Sequence, residues 1–210
     1  MSSSELLVQK FGGTSLADLE GFNASADLIE SYSVARRVIV VLSAVKGVTD
    51  LLVAAIDTAV EGGDGAHYLE QVIDSERTII DELKKQGVAT PLASEFLEQQ
   101  QSTLTRREEG IRLLGQCPEE TRAKILASGE GFSSRLMVDL LQHRGLSAQW
   151  SDTDVLPLAN DSWLDSLVDI EAAVPLLAQR LREGARITVL PGFYGRNADG
   201  GIQLLGRNGT

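Results

Sequence analysis

Val38-Ile39-Val40-Val41-Leu42 is a run of five aliphatic residues, four of them β-branched, and Ser43 closes it. A strand apolar on both faces needs cover on both, which is the pattern of a central parallel strand in a layered α/β fold. Outward toward the N-terminus, Leu6-Leu7-Val8-Gln9 is a second short strand entering the glycine loop Lys10-Phe11-Gly12-Gly13-Thr14-Ser15. Asp18 then caps a helix carrying Leu19, Phe22, Ala26, Leu28 and Ile29 at helical spacing. Outward in the other direction, the loop Ser43–Thr49 leads into a helix over about Asp50 to Val60. Strand, loop and helix repeated twice make a βαβα unit with a right-handed crossover.

From Ala66 to about Leu141 the strand signal disappears and three helical patterns follow, the third running unbroken from Glu119 through Ile125 to Leu141. This excursion, over about residues 66–143, is expected to pack on the sheet's edge within a single domain spanning 1–210. Ala148-Gln149-Trp150 resumes strand character, and Leu156 to Leu167 can hold a short hairpin. Ile170 to Arg182 reads as helix, with Pro175 either in its first turn or breaking it. Arg186–Leu190 is another buried strand, Asn197–Gly201 a turn, and Ile202–Leu205 a returning strand.

Composition narrows the function classes. A net charge of −11 disfavours nucleic acid, whose affinity comes from lysine and arginine on phosphates. It leaves room for a small anionic substrate held by local charge from Lys10, Arg135, Arg196 and Arg207. No stretch approaches the roughly 18 to 20 apolar residues of a membrane span, so no membrane partner is expected. The single cysteine, Cys117, suits a reducing cytoplasm. His67 and His143 stand far apart with no nearby cysteine or histidine ligand, so no zinc site and no protein-held metal are expected.

Several loops can carry chemistry. Lys10 follows a strand and precedes Gly12-Gly13, where absent side chains let phosphate oxygens approach the backbone; its ammonium can neutralise charge on a transferred phosphoryl group. An ordinary glycine turn with a solvated lysine would look the same. Ser43 and Thr49 can bind a polar substrate beside a helix N-terminus, or simply cap that helix. Ser128-Gly129-Glu130 puts a Ser-Gly step inside a helical pattern, which asks for close packing or a ligand. Glu130 can accept from a substrate ammonium or pair on the surface with Arg135. Phe193 stands past a strand end, at the pocket or in the core. Arg207, between Gly206 and Asn208-Gly209, can grip a carboxylate or belong to a hairpin turn, and Thr210 can offer a hydroxyl.

Taken together, Lys10-Phe11-Gly12-Gly13-Thr14-Ser15, Val41-Leu42-Ser43-Ala44 with Gly47-Val48-Thr49, Ser128-Gly129-Glu130, Gly192-Phe193 and Leu205-Gly206-Arg207-Asn208-Gly209-Thr210 resemble the motifs of aspartokinases in order and approximate spacing. The likeness is greatest to the monofunctional, lysine-sensitive type. It implies the three-layer αβα sandwich of amino-acid kinases, with a largely parallel central sheet incomplete at its C-terminal side. It implies ATP and L-aspartate as substrates, Mg2+ arriving through the nucleotide phosphates, and homo-oligomerisation of a full-length parent.

By the same resemblance Lys10 is the catalytic, phosphate-contacting lysine, with Gly12, Gly13, Thr14 and Ser15 completing its loop. Ser43, Thr49, Glu130, Phe193, Arg207 and Thr210 are the substrate-side residues. The resemblance further implies a truncated chain, lacking an aspartate next after Thr210, a later lysine, the adenine- and ribose-binding strands and the ACT regulatory domains. Two alternatives accompany it: an inactive remnant that binds aspartate or a partner subunit, and a kinase of another amino acid such as glutamate.

Overall fold

The computed structural model describes residues 5–206; Arg207 and Thr210 lie outside the described residues. Four strands form one parallel sheet in the order β1(Leu6–Phe11), β2(Arg37–Leu42), β4(Ile187–Pro191), β3(Ala148–Trp150). The apolar run around Val40 is thus an inner strand, as its composition requires, with β1 on one side and β4 on the other.

Strand alternation divides the sheet into two faces. Val38, Val40, Leu42, Ile187 and Val189 point into the main core, against α1(Leu19–Ser33) and α6(Ser128–His143). Phe132, Leu136 and Met137 of α6 are wholly buried there, each worth about 1.5–3 kcal/mol relative to exposure. Ile39 and Leu190 point to the opposite face and meet Leu177 and Leu181 of α7(Ile170–Glu183). The result is a three-layer αβα sandwich. At its rim, Leu6 and Val8 of β1 remain exposed.

Two local expectations hold and three are corrected. The Asp18 carboxylate accepts from Gly21 N–H at 2.9 Å at the start of α1. Asn197–Gly201 turns between β5(Tyr194–Arg196) and β6(Ile202–Leu204), an antiparallel pair. The third helical pattern, however, breaks at Ala127 into α5(Glu119–Leu126) and α6. There the Ser128 hydroxyl donates to Ile125 C=O at 2.6 Å. Moreover, α6 lies on the sheet's face, not its edge, and α3(Ala66–Lys85) and α4(Pro91–Leu114) stack outside it with α2(Val48–Val60). Pro175 sits in the second turn of α7 without ending it. Its missing N–H costs one intrahelical bond, while Asp169 caps the helix through Ala172 N–H at 3.0 Å.

Buried carboxylates from distant helices cap two helices of the excursion. Asp139 of α6 accepts from Leu92 N–H at 3.2 Å and Ala93 N–H at 2.9 Å, in the first turn of α4. Glu108 of α4 accepts from Gly65 N–H at 2.9 Å, just before α3. These backbone donors have no intrahelical partner, and burial would leave them unsatisfied. Asp139→Ala is therefore expected to lower stability by about 1–3 kcal/mol. Chemical denaturation measures this, and an unchanged midpoint would contradict it.

Candidate active site

Three loops meet where β1, β2 and β4 end. Ser43 N–H donates to Phe11 C=O at 3.1 Å and Gly192 N–H to Leu42 C=O at 3.0 Å, so the loops leave the sheet side by side. The carboxyl ends of parallel strands are the usual place for ligands in such sheets. A cleft of about 380 Å³ opens there, lined by Gly13, Thr14, Ser43, Thr49, Glu130 and Phe193 among others.

Close packing holds the loops together. A Cβ on Gly13 would stand 3.1 Å from Ala44 O, and one on Gly129 would stand 2.8 Å from Ala44 Cβ and Val48 Cγ1. That contact answers the Ser-Gly step: the start of α6 closes directly on the β2–α2 loop. The wholly buried Ser133 adds a clasp, its hydroxyl donating to Ser43 C=O at 2.6 Å. Gly47, at φ +85°, turns the chain into α2 through the left-handed region that glycine tolerates.

Glu130 sits in the first turn of α6 with 5% of its surface exposed, and its Oε2 has no hydrogen-bond partner. Burial pushes its carboxyl up to about 8, while backbone N–H groups of Phe193 and Ala44, and the Lys10 ammonium, draw it down. It is thus a carboxyl that gains from an arriving cation. Lys10, on the last turnings of β1, keeps an exposed ammonium; a Cβ on Gly12 would stand 3.9 Å from its Nζ, so the missing side chain leaves space beside the charge.

The structure brings Gly13, Thr14, Ser43, Thr49, Glu130 and Phe193 to one cleft. Lys10 and Gly12 border it through the same loop, and Ser15 lies exposed in the short 3-10 turn Gly13–Leu16. Two expectations fail. Glu130 does not pair with Arg135 on the surface; it is buried, and Arg135 stacks between Phe96 and Trp150. Nor do Arg135 and Arg196 supply charge here, since both line a different cleft. Lys46 and Asp50 do line this one. Their place between Ser43 and the first turn of α2 was the available signal. Ser133 had none, its partner being 90 residues away.

The profile described as "Amino acid kinase family" matches residues 5–210. The chain belongs to the amino acid kinase family. Within it the chain is homologous to aspartokinases. It is 35% identical over 211 residues to the lysine-sensitive aspartokinase 3 of Escherichia coli K12, covering 99% of this chain and 44% of that protein. It is 32% identical to the bifunctional aspartokinase/homoserine dehydrogenase of Buchnera aphidicola, covering 96% of this chain and 25% of that one. The crystal structure of E. coli aspartokinase III in complex with aspartate and ADP superimposes with a TM-score of 0.80 at 32% identity, over 98% of this chain and 44% of that one. This member of the family thus spans less than half the length of these relatives.

Proposed function

We propose that the glycine-loop cleft is the acceptor and phosphoryl-transfer site of an aspartokinase, in which ATP phosphorylates the side-chain carboxylate of L-aspartate. The observation that carries this is the buried, unpartnered Glu130 carboxyl oxygen beside two glycine loops at the ends of parallel strands. An amino acid offers the ammonium that this carboxyl lacks. Homology to a protein crystallised with aspartate and ADP supports the same choice.

In this reading Glu130 receives the ammonium, Ser43 and Thr49 offer hydroxyls, and Phe193 walls the pocket. Arg207 and Thr210 complete the grip on carboxylate. ATP enters as the co-substrate, with Lys10 and the Gly12–Ser15 loop against its phosphates. The aspartate carboxylate oxygen forms a bond to the γ-phosphorus as the bond to the β–γ bridging oxygen breaks, and ADP leaves. The Lys10 charge counts most when negative charge peaks on the transferring group. Mg2+ travels on the nucleotide phosphates. A cytoplasmic place and homo-oligomerisation accompany the reading. No helix of the described residues is long and apolar enough to cross a membrane.

A chimaera tests it: residues 1–210 replace the matching segment of the E. coli aspartokinase, and labelled ATP is supplied with aspartate, glutamate or acetylglutamate. Transfer to aspartate is expected. Preference for either rival would assign the cleft to another amino acid, and aspartate binding without transfer would favour the inactive-remnant alternative.

A further inference from the structure

The larger cleft lies beside the glycine-loop cleft and shares no lining residue with it. It encloses about 720 Å³ between α4, α6 and the β5–β6 hairpin, within the usual range for small-molecule pockets. Four basic side chains, Arg107, Lys124, Arg135 and Arg196, line it in a chain of net charge −11. Two are answered. Lys124 pairs with Glu120, and Arg196 donates from Nε and Nη2 to one Asp152 oxygen at 3.0 and 2.6 Å. Among the described residues, Arg107 and Arg135 have no carboxylate within 4.0 Å.

Arg135 is also immobilised. Its guanidinium carbon lies 4.2 Å from the Phe96 ring centroid and 3.9 Å from that of Trp150, and Nη1 donates to Gly131 C=O at 2.8 Å. The Trp150 indole is itself fixed, donating to Ser134 Oγ at 3.1 Å. A guanidinium packed against two rings has already lost much of the rotamer freedom that gripping an anion would cost, and among the described residues only its Nη1 is engaged in a hydrogen bond. Burial draws the pKa of Arg107 and of Arg135 below the ordinary value, while Tyr194, Asp152 and Glu95 draw that of Arg135 partly back up, so each is a partly desolvated cation with no carboxylate in direct contact among the described residues.

We infer that this cleft is a second small-molecule site, which takes a compact anion through carboxylate or phosphate oxygens on Arg107 and Arg135. It shares no lining residue with the acceptor site, and the sequence provides a reporter on its side alone. The chain has two tryptophans, Trp150 and Trp163, and both line the larger cleft while neither lines the smaller.

The test titrates the 210-residue chain with inorganic pyrophosphate and, separately, with succinate at constant ionic strength, following tryptophan fluorescence. A saturable change with either is expected, and the stronger responder names phosphate or carboxylate as the preferred group. Arg107→Gln and Arg135→Lys are each expected to weaken binding at least tenfold, whereas Lys10→Ala leaves it intact. Should Arg135→Lys disturb folding by circular dichroism, Arg107→Gln, at the cleft wall and outside that aromatic stack, decides alone. No saturable change, as when polypeptide fills the cleft, would overturn the inference. So would a response kept by a folded arginine variant or abolished by Lys10→Ala.

Discussion

Lys10→Ala is expected to cut phosphoryl transfer in the chimaera about 100- to 1,000-fold, the usual cost of removing one charge-stabilising group from a transition state. The fold should survive, because the Lys10 side chain is exposed and supports no packing. Its ammonium lies beside Gly12, where no side chain intervenes. The loss should appear in kcat with little change in the KM for aspartate, since the charge is needed most while the phosphoryl group is in flight. Steady-state kinetics with circular dichroism as the folding control checks this. A variant with normal kcat would mean that Lys10 only faces solvent.

The second large effect belongs to Glu130. Glu130→Gln keeps the shape of the side chain and removes its charge, and aspartate affinity in the 210-residue chain is expected to fall about a hundredfold, as when one partner of a buried charge pair is lost. Stability should move the other way. The folded-state carboxyl titrates at about 8, against 4.5 ordinarily. Between those values the native chain holds a proton that the unfolded chain has lost, so the group's contribution is complete below about 4.5 and declines as pH rises toward 8. Glutamine does not titrate, so the variant should gain thermal stability relative to the parent as pH approaches 8. Reduced affinity with increased stability is the pattern of a group placed for a ligand at the fold's expense. Reduced affinity with reduced stability would make Glu130 an ordinary structural residue.

Much of this arrangement is legible in the amino-acid sequence. The apolar run Val38–Leu42 declared an inner strand because nothing in it tolerates water. Asp18 announced a helix start that its side chain in fact makes. The glycine loops could be placed together because strands of one parallel sheet end on one side. What stayed hidden depends on contacts between distant parts of the chain. The break at Ala127 is invisible to periodicity, since apolar spacing runs straight through it; it stands two residues before the close approach of Gly129 to Ala44 and Val48. Nothing in the sequence marks Asp139 and Glu108, each of which caps a helix start 43 or more residues away. Arg135 looked available to Glu130 at roughly one helical turn, but the ring of Phe96 and that of Trp150 claim it from another helix and a strand.

The proton carried by Glu130 also gives the most direct measurement. At pH 7 a carboxyl titrating at about 8 is roughly nine-tenths protonated, and an ammonium binds well only to its ionised form. Aspartate is to be titrated calorimetrically into the 210-residue chain at pH 7, in buffers of differing ionisation enthalpy. The expected result is saturable binding that releases close to one proton, with affinity rising as pH goes from 6 to 8, and neither feature present in Glu130→Gln. Aspartate binding with no proton release, or with the same affinity and pH profile in Glu130→Gln, would contradict the account, as would no binding at all.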